Sequence, residues 1–323
     1  MLVLMLAFGA ARAKDIRYVV SPDGTGDFTT VNAAVSAVPA DAQGRATVFV
    51  KNGDYHEKVF VTAPNLTLVG EDREKVVIHF AILNEEWERA FRESGAQGSS
   101  RWGCAVVNIA ATATDFTLAN LTVYNNYGTT VRETHNHQFA VFGRATRTIT
   151  RNCNLWSDGS DTVSLWANDG MYYHENCDIR SHGVDFLCPR GWCFAKNCTL
   201  TGRGPAEIWH DGRGAEDMKF VLVNCRFESG KPKSELGRHH GEAAFYLKDC
   251  VFGENVTRPI SPARSDTLRW GERVYYSNCR TAAGATLEWA KDNFPMSPDL
   301  ATAEWTFAGR WNPEGSLQIT KAE

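Results

Sequence analysis

The sequence predicts an all-β chain wound as one stacked solenoid of parallel strands, with a short helix capping its N-terminal end. Three observations predict this. Six cysteines each follow an Asn or Asp, at Asn152-Cys153, Asn176-Cys177, Asn197-Cys198, Asn224-Cys225, Asp249-Cys250 and Asn278-Cys279, separated by 21 to 29 residues. Most of these pairs follow a β-branched or aromatic run, such as "TRTIT", "MYYHE", "KFVLV", "AAFYL" or "RVYYS". No helical pattern intervenes, and strands recurring with a period in the twenties are the signature of a solenoid. Coils stacked at ~4.8 Å would line up the cysteines as an internal column of small apolar groups, with the Asn side chains as a hydrogen-bonded ladder at the bend. Neighbouring Cα atoms would fall within disulfide range, but mostly buried thiols are expected for the nine cysteines.

The elements follow in order. Residues 1–13, with an apolar run from Leu2 to Phe8 and an Ala11-Arg12-Ala13 site, have the pattern of an export signal, although the usual positive charge before the apolar run is missing. Residues 14–323 then form a single domain. Val31, Ala34, Val35 and Val38 fall at helical spacing, with Thr30 as N-cap and Pro39 marking the end. "ATVFVK", "NLTLVG", "VVIHF" and "FTLANLTVYNN" are short strand patterns separated by turn residues. The polar stretch 84–103 reads as a long loop with some helical character.

The 323 residues carry a net charge of −4 without a basic run, which argues against nucleic acid as a partner. No apolar stretch reaches the length of a membrane span.

Asp161 and Asp185 each lie eight residues after a repeat cysteine, so they share a phase on consecutive coils, and Gln138 precedes Asp161 by 23 residues. Two carboxylates at the interstrand spacing repel, so one should hold its proton more tightly and their titrations should couple. A charged and a protonated carboxyl beside an amide suit acyl transfer: nucleophile, acid and oxyanion donor. Spacing alone equally allows a solvated polar stripe.

With these residues placed, the chain resembles the pectin methylesterases, carbohydrate esterase family 8. "VSPDGTGDFTTVNAAVSAVP" is similar to the family's N-terminal strand and cap helix, and Gly53, Tyr55 and Glu57 to its Gly-x-Tyr-x-Glu motif. "HQFAV", "SDTVSLW", "GVDFLCPRG" and "ELGRHHGEAAFYL" resemble four further motifs in the family's order, over residues 17 to 311. The resemblance implies a right-handed, single-stranded parallel β-helix and cofactor- and metal-independent hydrolysis of galacturonate methyl esters by an exported, monomeric enzyme, secreted or periplasmic. It implies Asp185 as nucleophile, Asp161 as general acid and then base, Gln138 as oxyanion donor, and Arg238 as the partner that orients Asp185 and lowers its pKa.

The chain departs from the family pattern at several points. Ser160 stands where a second Gln is common, and His239-His240 replace Pro-Trp after the arginine. Ser164, Trp166 and Cys188-Pro-Arg-Gly also differ. These changes point to a divergent bacterial-type subgroup acting on branched or decorated pectin. Trp166, Trp192 and Trp209 would either stack on sugars or pack under loops, and His210 and His240 would border the cleft. His135 and His137 share a strand face, but no third metal ligand sits at sensible spacing. The alternatives are a lyase or polygalacturonase on a similar β-helix, whose motifs are not evident here, and a glycan-binding envelope protein without activity.

Overall fold

The computed structural model describes residues 15–42, 44–210, 215–262 and 268–316; the expected export segment, residues 1–13, lies outside them. Among the described residues the strands form three parallel sheets of ten, eight and nine strands. The fold is the right-handed parallel β-helix expected from the sequence. One coil shows the path. Thr148–Arg151 lies in the first sheet, Asn154–Ser157 in the third, Val163–Leu165 in the second, and Met171–Glu175 returns to the first one coil on. Backbone pairing keeps a register of 24 residues on all three sides here, with Ile149 opposite Tyr173, Leu155 opposite Ile179 and Val163 opposite Leu187.

The Asn-Cys repeat builds the bend between the first and third sheets. Asn120, Asn152, Asn176, Asn197, Asn224, Asp249 and Asn278 all take left-handed backbone angles, φ 51° to 55°. Asn and Asp tolerate this region better than other side-chain-bearing residues. Their side chains link coil to coil. Asn152 donates to Asn120 (2.6 Å), Asn176 to Asn152 (2.7 Å), Asn224 to Asn197 (2.8 Å) and Asn278 to Asp249 (2.6 Å). Just inside, the repeat cysteines are buried free thiols, as are the other three. Cys153, Cys250 and Cys279 each donate to a first-sheet carbonyl of the preceding coil, Leu118, Leu222 and Leu247. A larger side chain at the bend would meet these strands. Asn176→Ala is expected to cost ~1–2 kcal/mol, through the lost rung and the strained φ. Asn176→Gly, which relieves the φ, should cost less. Urea unfolding of both variants checks the order, and equal losses would show that φ does not matter there.

The cap helix runs Val31–Ser36 and buries Val31, Ala34 and Val35 against the open end of the coils. Thr30 Oγ1 accepts from Ala33 N (3.3 Å). The Glu57 carboxylate takes the first two helical amides, Val31 N and Asn32 N, at 2.8 Å each, a favourable place for negative charge. Tyr55 Oη donates to Lys51 O (2.8 Å). The Gly-x-Tyr-x-Glu segment is therefore a structural clasp. Residues 84–103 are more ordered than a loop: Asn84–Glu93 is a helix. Its Trp87 is covered by the Lys58 ammonium (3.9 Å to the ring centre), which also donates to Gly103 O (3.0 Å).

Candidate active site

The carboxylates emerge where the third sheet turns into the second. Gly159 and Gly183 thin this wall. A Cβ on Gly159 would lie 2.3 Å from Asn136 O and 2.7 Å from Gln138 Cδ, and one on Gly183 would lie 2.1 Å from Ser160 Oγ. Asp161 and Asp185 follow two residues after these glycines, and both are left-handed, φ 64° and 57°. Strain of this kind collects at functional sites. The main chain locks both acids into the stack, since Asp161 N donates to Val184 O (3.0 Å) and Asp185 N to Ala206 O (3.2 Å). Their own carbonyls are held three residues on, by Ser164 Oγ (3.2 Å) and Cys188 Sγ (2.5 Å). Both residues are departures from the family pattern, and here they support the backbone beneath the acids.

Register places Gln138, Asp161 and Asp185 in one column. His137 bridges to Ser160, which sets Gln138 opposite Asp161, and the pairing of Val163 with Leu187 sets Asp161 opposite Asp185. Gln138 is fully buried, and the acids are 8% and 6% exposed. Gln138 Nε2 donates to Thr134 O (3.1 Å). Ser160 Oγ donates to His135 O (2.6 Å) and accepts from Val184 N (3.1 Å), tying its coil to those before and after it beside Asp161.

Arg238 comes from two coils further on and grips Asp185 with both ends of its fork: Nε to Oδ1 at 3.2 Å and Nη2 to Oδ2 at 2.5 Å. The Trp209 ring supports the guanidinium (4.7 Å), and His240 meets that ring edge-on at 4.0 Å. Burial raises the Asp185 pKa more than the Arg238 hydrogen bonds and charge lower it, so the net shift is upward. Arg238 does lower the Asp185 pKa, as expected from the sequence, but burial outweighs it. Asp161 has no such clamp among the described residues. Burial lifts it to about 7, opposed by the charge of His137 and reinforced by Asp185. Asp161 is thus the carboxyl that keeps its proton towards neutral pH.

Trp166 flanks the same sheet. It packs edge-on against Phe142 and Phe139, with the Arg101 and Arg190 guanidiniums at 4.9 and 4.5 Å from its ring. Two expected cleft residues stand elsewhere. Trp192 begins a first-sheet strand; its Nε1 donates to Asp217 O (3.0 Å) and Arg310 covers its ring (3.8 Å), so it packs beneath the C-terminal segment. His210 is fully buried, with Nε2 on Gly191 O (2.8 Å) and Phe220 and Phe245 around it. Successive residues of a strand face opposite ways, and His210 takes the inward face beside the outward Trp209.

Two residues near Asp161 were not assigned from sequence. His137 Nε2 lies 3.9 Å from Asp161 Oδ2, and its Nδ1 pairs with Glu85 Oε1 at 2.5 Å. His135 Nδ1 instead meets His182 O (2.9 Å). Adjacency to Gln138 was the available signal for His137. Glu85 sits 52 residues away in sequence and offered none.

The fold and site together define a class of protein, a parallel β-helix that carries an arginine-clamped carboxylate in register with a second carboxylate one coil earlier. The family model for pectinesterases matches residues 17–230, and the chain belongs to the pectinesterase family. Among curated relatives, putative pectinesterase/pectinesterase inhibitor 45 of Arabidopsis thaliana is 26% identical over 93% of this chain and 47% of its own length. Pectinesterase 4 of the same plant is 24% identical over 97% of this chain and 54% of its own. The chain thus spans about half the length of the curated relatives it matches. Among solved structures, the pectin methylesterase from carrot superimposes with TM-score 0.72 at 20% identity, covering 93% of this chain and 94% of its own. Pectin methylesterase PemA from Erwinia chrysanthemi gives 0.69 at 18% identity, covering 94% and 99%. These likenesses are of fold.

Proposed function

We propose that this chain hydrolyses methyl esters of galacturonate in pectin, with Asp185 as nucleophile and Asp161 as acid and base. The observation that carries this reading is the difference between the two acids: Asp185 clamped by Arg238, and Asp161 raised to about 7 one coil earlier. The Asp185 carboxylate attacks the ester carbonyl, and the C–O bond to methoxide breaks as Asp161 gives methoxide its proton. Methanol leaves an anhydride on Asp185. Water then attacks the acyl carbon, passes a proton to Asp161, and Asp185 departs as carboxylate. Gln138 Nε2 has two hydrogens; one serves Thr134 O, and the other is available to the oxyanion. In this reading Trp209, His240 and Trp166 touch the flanking sugars. Family membership and the fold shared with a pectin methylesterase solved in complex with a hexasaccharide (TM-score 0.70) support pectin as substrate. We extend the proposal to a single-domain monomer acting outside the cytoplasm, and to a decorated pectin in view of His239-His240.

Methanol release from methyl-esterified polygalacturonate and from side-chain-rich pectin tests the reading; no release from either would remove it. Gln138→Ala is expected to lower kcat by ~10²–10³-fold with KM little changed. A loss confined to KM would assign Gln138 to ground-state binding.

A further inference from the structure

Hydrolysis of an ester to a uronate frees one proton per turnover, and neither aspartate can keep it. At the end of the cycle Asp161 is already protonated and Asp185 is bound to Arg238, yet the product forms as an un-ionised acid. Both acids are almost fully buried, so a proton given up before the product leaves needs a path to water.

We propose that His137, held by Glu85, is this path: it takes a proton from Asp161 Oδ2 and delivers it to solvent. The inference rests on the esterase reading. The product O–H passes its proton to one oxygen of Asp161 while the Oδ2 proton moves to His137 Nε2, and the imidazolium then loses that proton to water. No other bond changes, and one proton leaves for each ester cleaved. His137 and Glu85 act through Asp161 and are positioning residues.

The geometry supplies each part. His137 Nε2 faces Asp161 Oδ2 at 3.9 Å, a separation that a small rotation or one water closes. Its side chain is 48% exposed, against 12% for Asp161, so it spans the step from buried carboxyl to solvent. With Nδ1 donating to Glu85 Oε1 (2.5 Å), Nε2 is the nitrogen that gains and loses the proton. The helix that brings Glu85 is anchored to the same strand, with Asn84 N on His137 O (3.0 Å) and His137 N on Glu85 Oε1 (3.4 Å). Phe139 stacks beside the imidazole (6.1 Å between centres). The charges acting on His137 are Glu85 and Asp161, which favour its cation, and Arg101, which opposes it; Asp185 and Arg238 act on Asp161 behind it. The hydrogen bond to Glu85 is the largest influence, and the net shift of His137 is upward.

Two measurements decide it. In weak buffer, His137→Gln should lower kcat ~10-fold with KM unchanged, and added imidazole should restore kcat in proportion to its free base, without effect on the unaltered protein. An unchanged kcat, or a loss that imidazole does not restore, would overturn the relay. NMR titration of the His137 ring should show its midpoint falling in both Glu85→Gln and Asp161→Asn; an unmoved midpoint in Asp161→Asn would sink the coupling. The two proposals fail separately. A chain that releases no methanol defeats the esterase reading, while the titration still decides the coupling. Methanol release that is lost in Asp185→Asn and undiminished in His137→Gln defeats the relay alone.

Discussion

Asp185→Asn is expected to reduce methanol release by at least ~10⁴-fold while leaving the coils folded. Removal of a nucleophile costs this much because the remaining groups only bind and polarise, and an amide oxygen does not form the anhydride. The substitution is well suited to the position. Asn is nearly isosteric, tolerates the left-handed φ of 57°, and keeps the main-chain bond to Ala206 O. Arg238 loses its anion but stays half-exposed against Trp209, so the thermal midpoint should move by only a few degrees. Residual activity within tenfold of the parent would show that Asp185 is not the nucleophile.

Asp161→Asn should show the opposite pairing of effects: activity down by ~10²–10⁴-fold, and stability up at alkaline pH. The folded-state value of about 7 lies above the ordinary 3.8. The folded chain therefore holds this proton more tightly than the unfolded one. The stability that this supplies is complete below pH ~4 and is lost as the pH rises through about 7, at ~1.4 kcal/mol for each tenfold difference in proton affinity. At pH 8 the parent carries a buried ionised carboxyl, which Asn replaces with a neutral amide. The variant should then be more stable by ~2–4 kcal/mol, with little difference at pH 4. Thermal unfolding at both pH values checks this, and a pH-independent difference would contradict it. The same group sets the alkaline side of the activity profile. In the proposed mechanism acylation needs the Asp161 proton, so kcat/KM should fall above about pH 7 and fall again in acid as Asp185 becomes protonated.

Glu207 shares the sign of this effect without the chemistry. It lies fully buried inside the coils, and burial pushes it up to about 8, against hydrogen bonds from Ser229 and Ser234.

The parts of this molecule legible in its sequence are those set by coil register. The Asn-Cys period exposed the stack because each coil repeats one sharp bend that admits a small inward side chain and a left-handed Asn. Equal offsets from those cysteines brought Asp161 and Asp185 together for the same reason. Arg238 required the resemblance, because its guanidinium reaches back across two coils and no local period marks it. Trp192 and His210 were misplaced because proximity in sequence to the strands beside Asp161 and Asp185 does not fix which sheet or which face a residue takes. Glu85 and Arg101 approach from the segment between two coils, where neither period nor motif applies.

Main-chain bonds from Asp161 to Val184 and from Asp185 to Ala206 tie the acids to a lattice that extends through every coil. Neither can be retuned in position without disturbing the whole column. On the proposed function, any change in the polysaccharide accepted is therefore channelled into what overhangs the sheet, the segment bearing Glu85 and Arg101 and the Trp209–His240 rim. Grafting that overhang onto a relative should transplant sugar preference while the reacting atoms stay where they were.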